Sequence, residues 1–291
     1  MNDVKSKHTR TIFRFFLKTS RGFLKSGSLS PIVYPIADYF VDKIMGGKDV
    51  FEIQGFKMKK GKTTRLPILT GEIEPAATNL IKKEIEQGMN VLDLGANIGW
   101  FTLWFSKLVG DSGHVYSFEP DPDLFAVLKE NVELNKLKNV STFQIAVSNR
   151  SGKGRLSLNP TQQAANRLDS HMMNKKTIEV DTISIDDFCK QNQVNIDFVK
   201  MDVEGSEPKV FEGMKNLILS NPKIKIIAEF SPSAIIDVGS SPKEFFNILE
   251  KFRFIIKEID EATMDNLKPI DKDQFLQKKN IRPNLFCYIS N

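Results

Sequence analysis

The stretch "VLDLGANIGWFT", residues 91–102, decides the fold. It opens on alternating apolar residues and changes character at Gly95, with Asp93 two positions earlier and Gly99 four positions later. Such a pattern is a strand passing through a tight bend into a helix. Open parallel sheets bind ligands beyond the carboxyl ends of their strands, so residues 93–99 form the expected site. A dinucleotide fingerprint would read G-x-G-x-x-G, its middle glycine letting backbone approach a pyrophosphate. Asn97 stands where that glycine would be and crowds the phosphate. Asp93 is expected to aim a carboxylate into the crevice. A ligand that carries positive charge and lacks a pyrophosphate suits this bend better.

Outward from the bend, the chain keeps one rhythm. "MNVLDLG" (89–95), "HVYSFEP" (114–120), "VSTFQIAVS" (140–148), "IDFVKMDVEG" (196–205) and "IKIIAEFSP" (224–232) read as strands, most of them followed by helical patterns. This alternation implies an α/β protein with a mostly parallel sheet covered on both faces. Residues 150–189 interrupt it with an antiparallel pair leading into a short helix. "FRFIIKEID" and "RPNLFCYIS" close the chain, joined by a polar stretch without a helix signal, and predict an antiparallel hairpin at one edge. Upstream, "GEIEPAATNLIKKEIEQG" (71–88) reads as a helix with Pro75 in its first turn and Gly88 as its stop. Residues 49–61 turn like a hairpin, and 35–45 read as a short helix. Asn131 and Asn135 read as helix-end and loop residues.

S-adenosylmethionine fits the bend, since it carries a sulfonium, an ammonium, a carboxylate and an adenosine. Asp93 would receive the ammonium, directly or through water, while Gly95 and Gly99 let the chain turn beneath the ligand. Glu119, 26 residues beyond Asp93, ends the second strand. A carboxylate there accepts hydrogen bonds from ribose hydroxyls in any nucleoside site, so Glu119 speaks for adenosine, and Asp93 and Asn97 choose the ligand.

"VLDLGANIGWFTLWFSKLVGDSGHVYSFEPDP", "AVSNRSGKGRLSL", "TISIDDF" and "FVKMDVEGSEPKVFEGM" together resemble the FkbM family of S-adenosylmethionine-dependent methyltransferases. The similarity runs from about "GEIEP" (71–75) at least to "AEFSP". It implies a class I methyltransferase fold, a Rossmann-like three-layer sandwich with a seven-stranded, mostly parallel sheet and an antiparallel final strand. It further implies methyl transfer, usually to oxygen. Glu74 in the Glu-Pro pair is then a cofactor contact, although an acidic helix start also serves the helix dipole. Ala146 falls where the adenine edge rests in that topology.

In "KMDVEGSE" (200–207), strand alternation puts Lys200, Asp202 and Glu204 on one face. An aliphatic hydroxyl is a weak nucleophile and needs a base within hydrogen-bond reach. Asp202 and Glu204 are the candidates for that base, with Asp202 also orienting the methionyl end or the acceptor. His171, inside the insertion, is a further candidate. Lys200 is either functional or half of a buried ion pair. Glu229 ends the next strand beside Asp202. Some related O-methyltransferases hold Mg²⁺ between such positions, and the alternative is hydrogen bonding to the loop after the first strand.

Charge is unevenly spread. Residues 1–70 hold 14 Lys/Arg against 5 Asp/Glu, whereas the remainder hold 27 against 31. The expected organisation is a basic N-terminal extension of helix and hairpin (1–70) and an S-adenosylmethionine-binding domain (71–291) with an insertion near 150–189. No basic groove interleaved with aromatics appears in the main body, which argues against nucleic acid. Residues 10–25 alternate basic and aromatic-aliphatic positions at helical spacing. That pattern suits either packing on the chain's own domain or a peripheral membrane contact. Two cysteines nearly a hundred residues apart, Cys189 and Cys287, imply free thiols, a reducing compartment and a cytoplasmic location. The expected activity is methylation of a hydroxyl on a sugar, glycan, lipid-linked or other polar acceptor. The alternatives are an N- or protein-directed methyltransferase, a membrane-surface protein with a vestigial pocket, and a nicotinamide oxidoreductase.

Overall fold

The computed structural model describes residues 48–60, 73–159, 165–170, 176–263 and 267–290. The expected helices at 10–25 and 35–45 lie outside them, as does His171. The chain divides into two units, Met1–Ile73 and Glu74–Asn291. In the first, β1 (Val50–Ile53) and β2 (Phe56–Lys59) pair antiparallel. Gln54 and Gly55 both take positive φ at the turn, the twist that a two-residue hairpin demands.

The second unit runs α1 (Pro75–Glu84), β3 (Asn90–Leu94), α2 (Trp100–Val109), β4 (His114–Phe118), α3 (Pro122–Leu134) and β5 (Val140–Phe143). Next come β6 (Ala146–Val147), β7 (Gly152–Ser157), β8 (Arg167–Leu168), β9 (Thr177–Ile183) and α4 (Ile185–Asn192). The remainder is β10 (Phe198–Met201), α5 (Glu207–Glu212), α6 (Lys215–Ser220), β11 (Lys225–Glu229), α7 (Pro232–Asp237), α8 (Pro242–Lys251), β12 (Ile255–Ile259), β13 (Leu267–Pro269), α9 (Lys272–Gln277) and β14 (Asn284–Tyr288).

The main sheet has the order β13-β12-β14-β11-β10-β3-β4-β5. β5, β4, β3, β10 and β11 are mutually parallel, and strand order reverses beside β3. β10 is buried at all four positions, as a central parallel strand must be when helices cover both faces. Leu92, Leu94, Val199, Met201, Ile226 and Ala228 supply the core from the sheet, and Phe188, Phe211, Phe245 and Phe246 meet it from the helices. β6, β9, β7 and β8 form a separate four-stranded sheet, so the insertion contains its antiparallel pair, β7 with β9, followed by α4.

This is the class I methyltransferase sheet with one strand added, eight in place of seven. Several boundaries move. The helix expected over 71–88 spans Pro75–Glu84, because Ile85 turns extended at φ −88°, ψ 126°. The strand expected over 140–148 breaks after Phe143, and Ala146–Val147 pairs with β9 in the smaller sheet. The closing strands are antiparallel, yet not at the edge. β14 slots between β11 and β12, and β13, ending in Pro269, forms the edge. The polar stretch between them also holds a helix, α9, capped by Asp271 accepting from the Gln274 amide at 3.0 Å. Asn131 lies in the last turn of α3, its carbonyl accepting from the C-capping Asn135 amide at 3.3 Å, and its fully buried side chain donates from Nδ2 to the Ile98 carbonyl at 2.7 Å. That bond pins the far side of the bend to α3.

Candidate functional site

β3 delivers the chain into the bend with its last four residues buried. The Gly95 and Ala96 amides both donate to the Phe118 carbonyl, at 3.0 and 2.9 Å, tying the bend to the end of β4. Gly95 has φ +80°, and a Cβ there would stand 1.9 Å from the Asp202 carbonyl oxygen. A Cβ on Gly99, at φ +90°, would meet Leu128 at 2.7 Å. Gly95 is therefore demanded by backbone packing at the end of β10, and Gly99 chiefly by its left-handed backbone, beyond any approach to a ligand. Asn97 occupies the left-handed region at φ +53°.

A cavity lies over this bend. Gly95, Asn97, Glu119, Ala146, Asp202 and Glu204 line it, with Leu124, Asn166, Ser206, Glu229 and Arg282. Of the residues singled out in the sequence, Glu74, Asp93, Gly99 and Lys200 do not line it. The parallel register explains Asp93, which sits beside Lys200 on β10 and Ser117 on β4, facing α2. Its carboxylate accepts from Thr102 Oγ1 at 2.6 Å, and burial pushes it up to about 6 against the pull of Lys200. Asp93 is thus aimed under the helix, not into the crevice.

Glu119 is 5% exposed. Its Oε2 accepts from the Asn97 amide at 2.8 Å and its Oε1 from the Asp121 amide at 2.9 Å. Each oxygen keeps a lone pair for a further donor. Burial raises its pKa to about 8, and the two amide bonds only partly oppose this. The carboxylate that accepts both amides belongs to a side chain able to present two acceptors to a diol.

Lys200 is 2% exposed, with Nζ 3.6 Å from Asp202 and 4.4 Å from the Phe101 ring centre. Burial alone would lower its pKa. The carboxylates of Glu74, Asp202, Asp93 and Glu229 outweigh burial and hold it protonated. Glu74 does not cap α1; the Ala76 and Ala77 amides instead donate to Glu261, at 3.0 and 3.2 Å. The Glu74 carboxylate accepts from Asn284 at 2.9 Å, and burial raises its pKa despite Lys200.

At the strand ends, Asp202, Glu204 and Glu229 bring carboxylate oxygens within 4.8 Å of one another. The register of β14 on β11 pairs Glu229 with Asn284, which brings Arg282 to the cluster. Arg282 grips Glu204 through both Nη atoms, at 3.2 and 2.7 Å, and reaches Glu229 at 3.6 Å. Burial raises the pKa of Glu204 against that guanidinium, and raises Glu229 further, with Asp202 adding to it. Expected alternation fails past Met201, where β10 ends. Glu204 takes φ +52°, a left-handed backbone that costs roughly 1–3 kcal/mol and recurs at functional sites.

Sequence reasoning missed Arg282, Asn166 and Glu207. Glu207 accepts from the Val203 and Gly205 amides at 3.1 and 3.3 Å, holding the turn that carries Glu204. An acidic residue at a helix start was its available signal. Arg282 and Asn166 had none, since both arrive from distant elements.

A family model described as the methyltransferase FkbM domain matches residues 93–263. Among curated proteins, hexuronic acid methyltransferase AglP of Haloferax volcanii is 28% identical over 200 residues, covering 68% of this chain and 74% of that protein. A protein-L-isoaspartate O-methyltransferase of Methanothrix thermoacetophila is 40% identical over 58 residues, which is 20% of this chain and 28% of the other. Among solved structures, a methyltransferase FkbM from Methylobacillus flagellatus aligns with a TM-score of 0.42 at 16% identity, over 70% of this chain and 44% of that one.

Proposed function

The chain belongs to the FkbM methyltransferase family, and from that premise we propose that it transfers a methyl group from S-adenosylmethionine to a hydroxyl oxygen of a sugar, glycan or other polar acceptor. The observation that carries this reading is the carboxylate cluster opening on the cavity beside the nucleoside-ready Glu119. S-adenosylmethionine supplies an activated methyl on a sulfonium. In this reading, Glu119 accepts the ribose hydroxyls, Ala146 and Leu124 flank the adenine, and Gly95 and Asn97 shape the floor. Asp202 takes the acceptor proton, because Glu204 is already gripped by Arg282 and better suited to orient the acceptor. Asp93, Gly99 and Glu74 support the site from outside the cavity, Asp93 and Glu74 through Lys200. Nitrogen acceptors need no such base, so the cluster favours oxygen. The hexuronic acid methyltransferase named above supports a sugar acceptor.

Calorimetry with S-adenosylhomocysteine tests the cofactor assignment and carries a pH signature. Burial keeps empty-site Glu119 protonated below about 8, whereas ribose hydroxyls donate to its ionised form. Binding therefore releases a proton, and the dissociation constant is expected to fall up to about tenfold per pH unit from pH 6 toward 8, then level off. Glu119→Gln should bind more weakly and lose the slope. Binding of NADH in place of S-adenosylhomocysteine would defeat the reading.

Among the described residues, no helix is long and apolar enough to cross a membrane. The basic and aromatic spacing of residues 10–25 supports a peripheral membrane contact as a second property of the chain. Reversing charge at Arg14, Lys18 and Arg21 should then abolish co-sedimentation with anionic liposomes, and unchanged sedimentation would remove the idea.

A further inference from the structure

Three clustered carboxylates at two neighbouring strand tips are a divalent-cation ligand set by donor type, since hard cations prefer oxygen. Asp202, Glu204 and Glu229 have the spacing for it, with ligand oxygens within 4.8 Å. What sets this cluster apart is the cation already present. Arg282 lays both Nη atoms on the two oxygens of Glu204 and has Nη1 3.6 Å from Glu229 Oε2. A guanidinium in that fork geometry takes up one lone pair on each Glu204 oxygen, the inward pair that a chelated metal would use. On the other flank, Lys200 stands 3.6 Å from Asp202. One of the three carboxylates, Glu204, is therefore hydrogen-bonded by a side-chain cation, and Asp202 and Glu229 each have one within ion-pair range at 3.6 Å.

Resting on the methyl-transfer reading of this cavity, we infer that Arg282 stands in for a divalent metal: it neutralises the carboxylate cluster, closes it to metal ions, and positions Glu204 at the cavity wall. The residues present thus do not fit the Mg²⁺ alternative, and the reaction proceeds without a metal ion. Arg282 is a positioning residue, acting through Glu204. Removing the guanidinium leaves the acidic cluster short of one charge and open on the side facing Arg282.

Mn²⁺ binding by the full chain, followed by electron paramagnetic resonance, reads this directly without any acceptor. Wild type should leave millimolar Mn²⁺ free. Arg282→Ala should gain a site at least about tenfold tighter than any wild-type binding, and adding Glu229→Gln should abolish it. Arg282→Lys should restore exclusion, which a merely structural role would not predict. Where Arg282→Ala does not fold, Arg282→Gln, closer in volume, gives the same comparison. Wild-type binding that Glu229→Gln removes would overturn the inference, as would a folded Arg282→Ala that stays silent. S-adenosylhomocysteine binding measured in parallel separates the two readings: a wild type that binds both ligands defeats the role of Arg282 alone, and one that binds neither defeats the cofactor assignment alone.

Discussion

Asp202→Asn should lower the rate of methyl transfer by roughly 10²–10⁴-fold, the usual contribution of a positioned general base. Asparagine keeps the shape and a hydrogen-bonding oxygen but cannot take the proton. Asp202 is the member of the cluster best placed for this work, since its side chain is 27% exposed whereas Glu204 and Glu229 are 12% and 14%. Glu204→Gln should raise KM for the acceptor more than it lowers kcat, as expected when binding and not chemistry is lost. Asp202→Asn also has an electrostatic echo. Asp202 is one cause of the raised pKa of Glu229, so losing its charge moves Glu229 down toward the ordinary carboxylate range. The measurement is transfer of labelled methyl to a panel of sugar acceptors, with S-adenosylhomocysteine affinity as the control. A rate within about threefold of wild type, far below the expected range for a base, would move that role to another carboxylate.

Gly95→Ala should be among the most damaging single substitutions in the chain. The new Cβ would overlap the Asp202 carbonyl oxygen at 1.9 Å and its carbon at 2.9 Å, both backbone atoms of a central strand's end. The residue would also be held at φ +80°, where alanine is strained. Neither side of the clash can rotate away. A loss above about 4 kcal/mol is expected, the range reserved for overpacking and backbone strain combined. Thermal unfolding should move down by roughly 8–16 °C for a domain of this size. A variant that melts within about 2 °C of wild type, well under that scale, would show that β3 and β10 can separate at this point without cost.

Much of the site was legible because it is local. The strand, bend and helix of residues 91–102 declare themselves through alternation and glycine spacing, and Glu119 and Asp202 follow from the same rule about strand ends. Direction was less legible than position. Asp93 lies where its strand puts it, yet the register with Lys200 and Ser117 turns it under α2, and register is a property of three strands at once. Gly95 was expected to serve a ligand, while its neighbour within the fold is the Asp202 carbonyl. Arg282 and Asn284 were invisible for a different reason. Arg282 reaches the cluster, and Asn284 reaches Glu74, only because β14 pairs with β11, across more than fifty residues of sequence, and the hairpin expected at the sheet edge would have carried both away. Asn131 shows the same limit on a smaller scale. Its helical position was readable, but the carbonyl it serves lies 33 residues earlier.

The slot filled by β14 has a consequence for the order of assembly. β14 lies between β11 and β12 although it follows both in sequence, and Arg282, two residues before it, carries the guanidinium that grips the acidic pocket. β3, β4, β5, β10 and β11 can pair without it, but β11 and β12 then face each other across a gap and Glu204 lacks its cation. Insertion of β14 therefore closes the sheet and completes the pocket in one step.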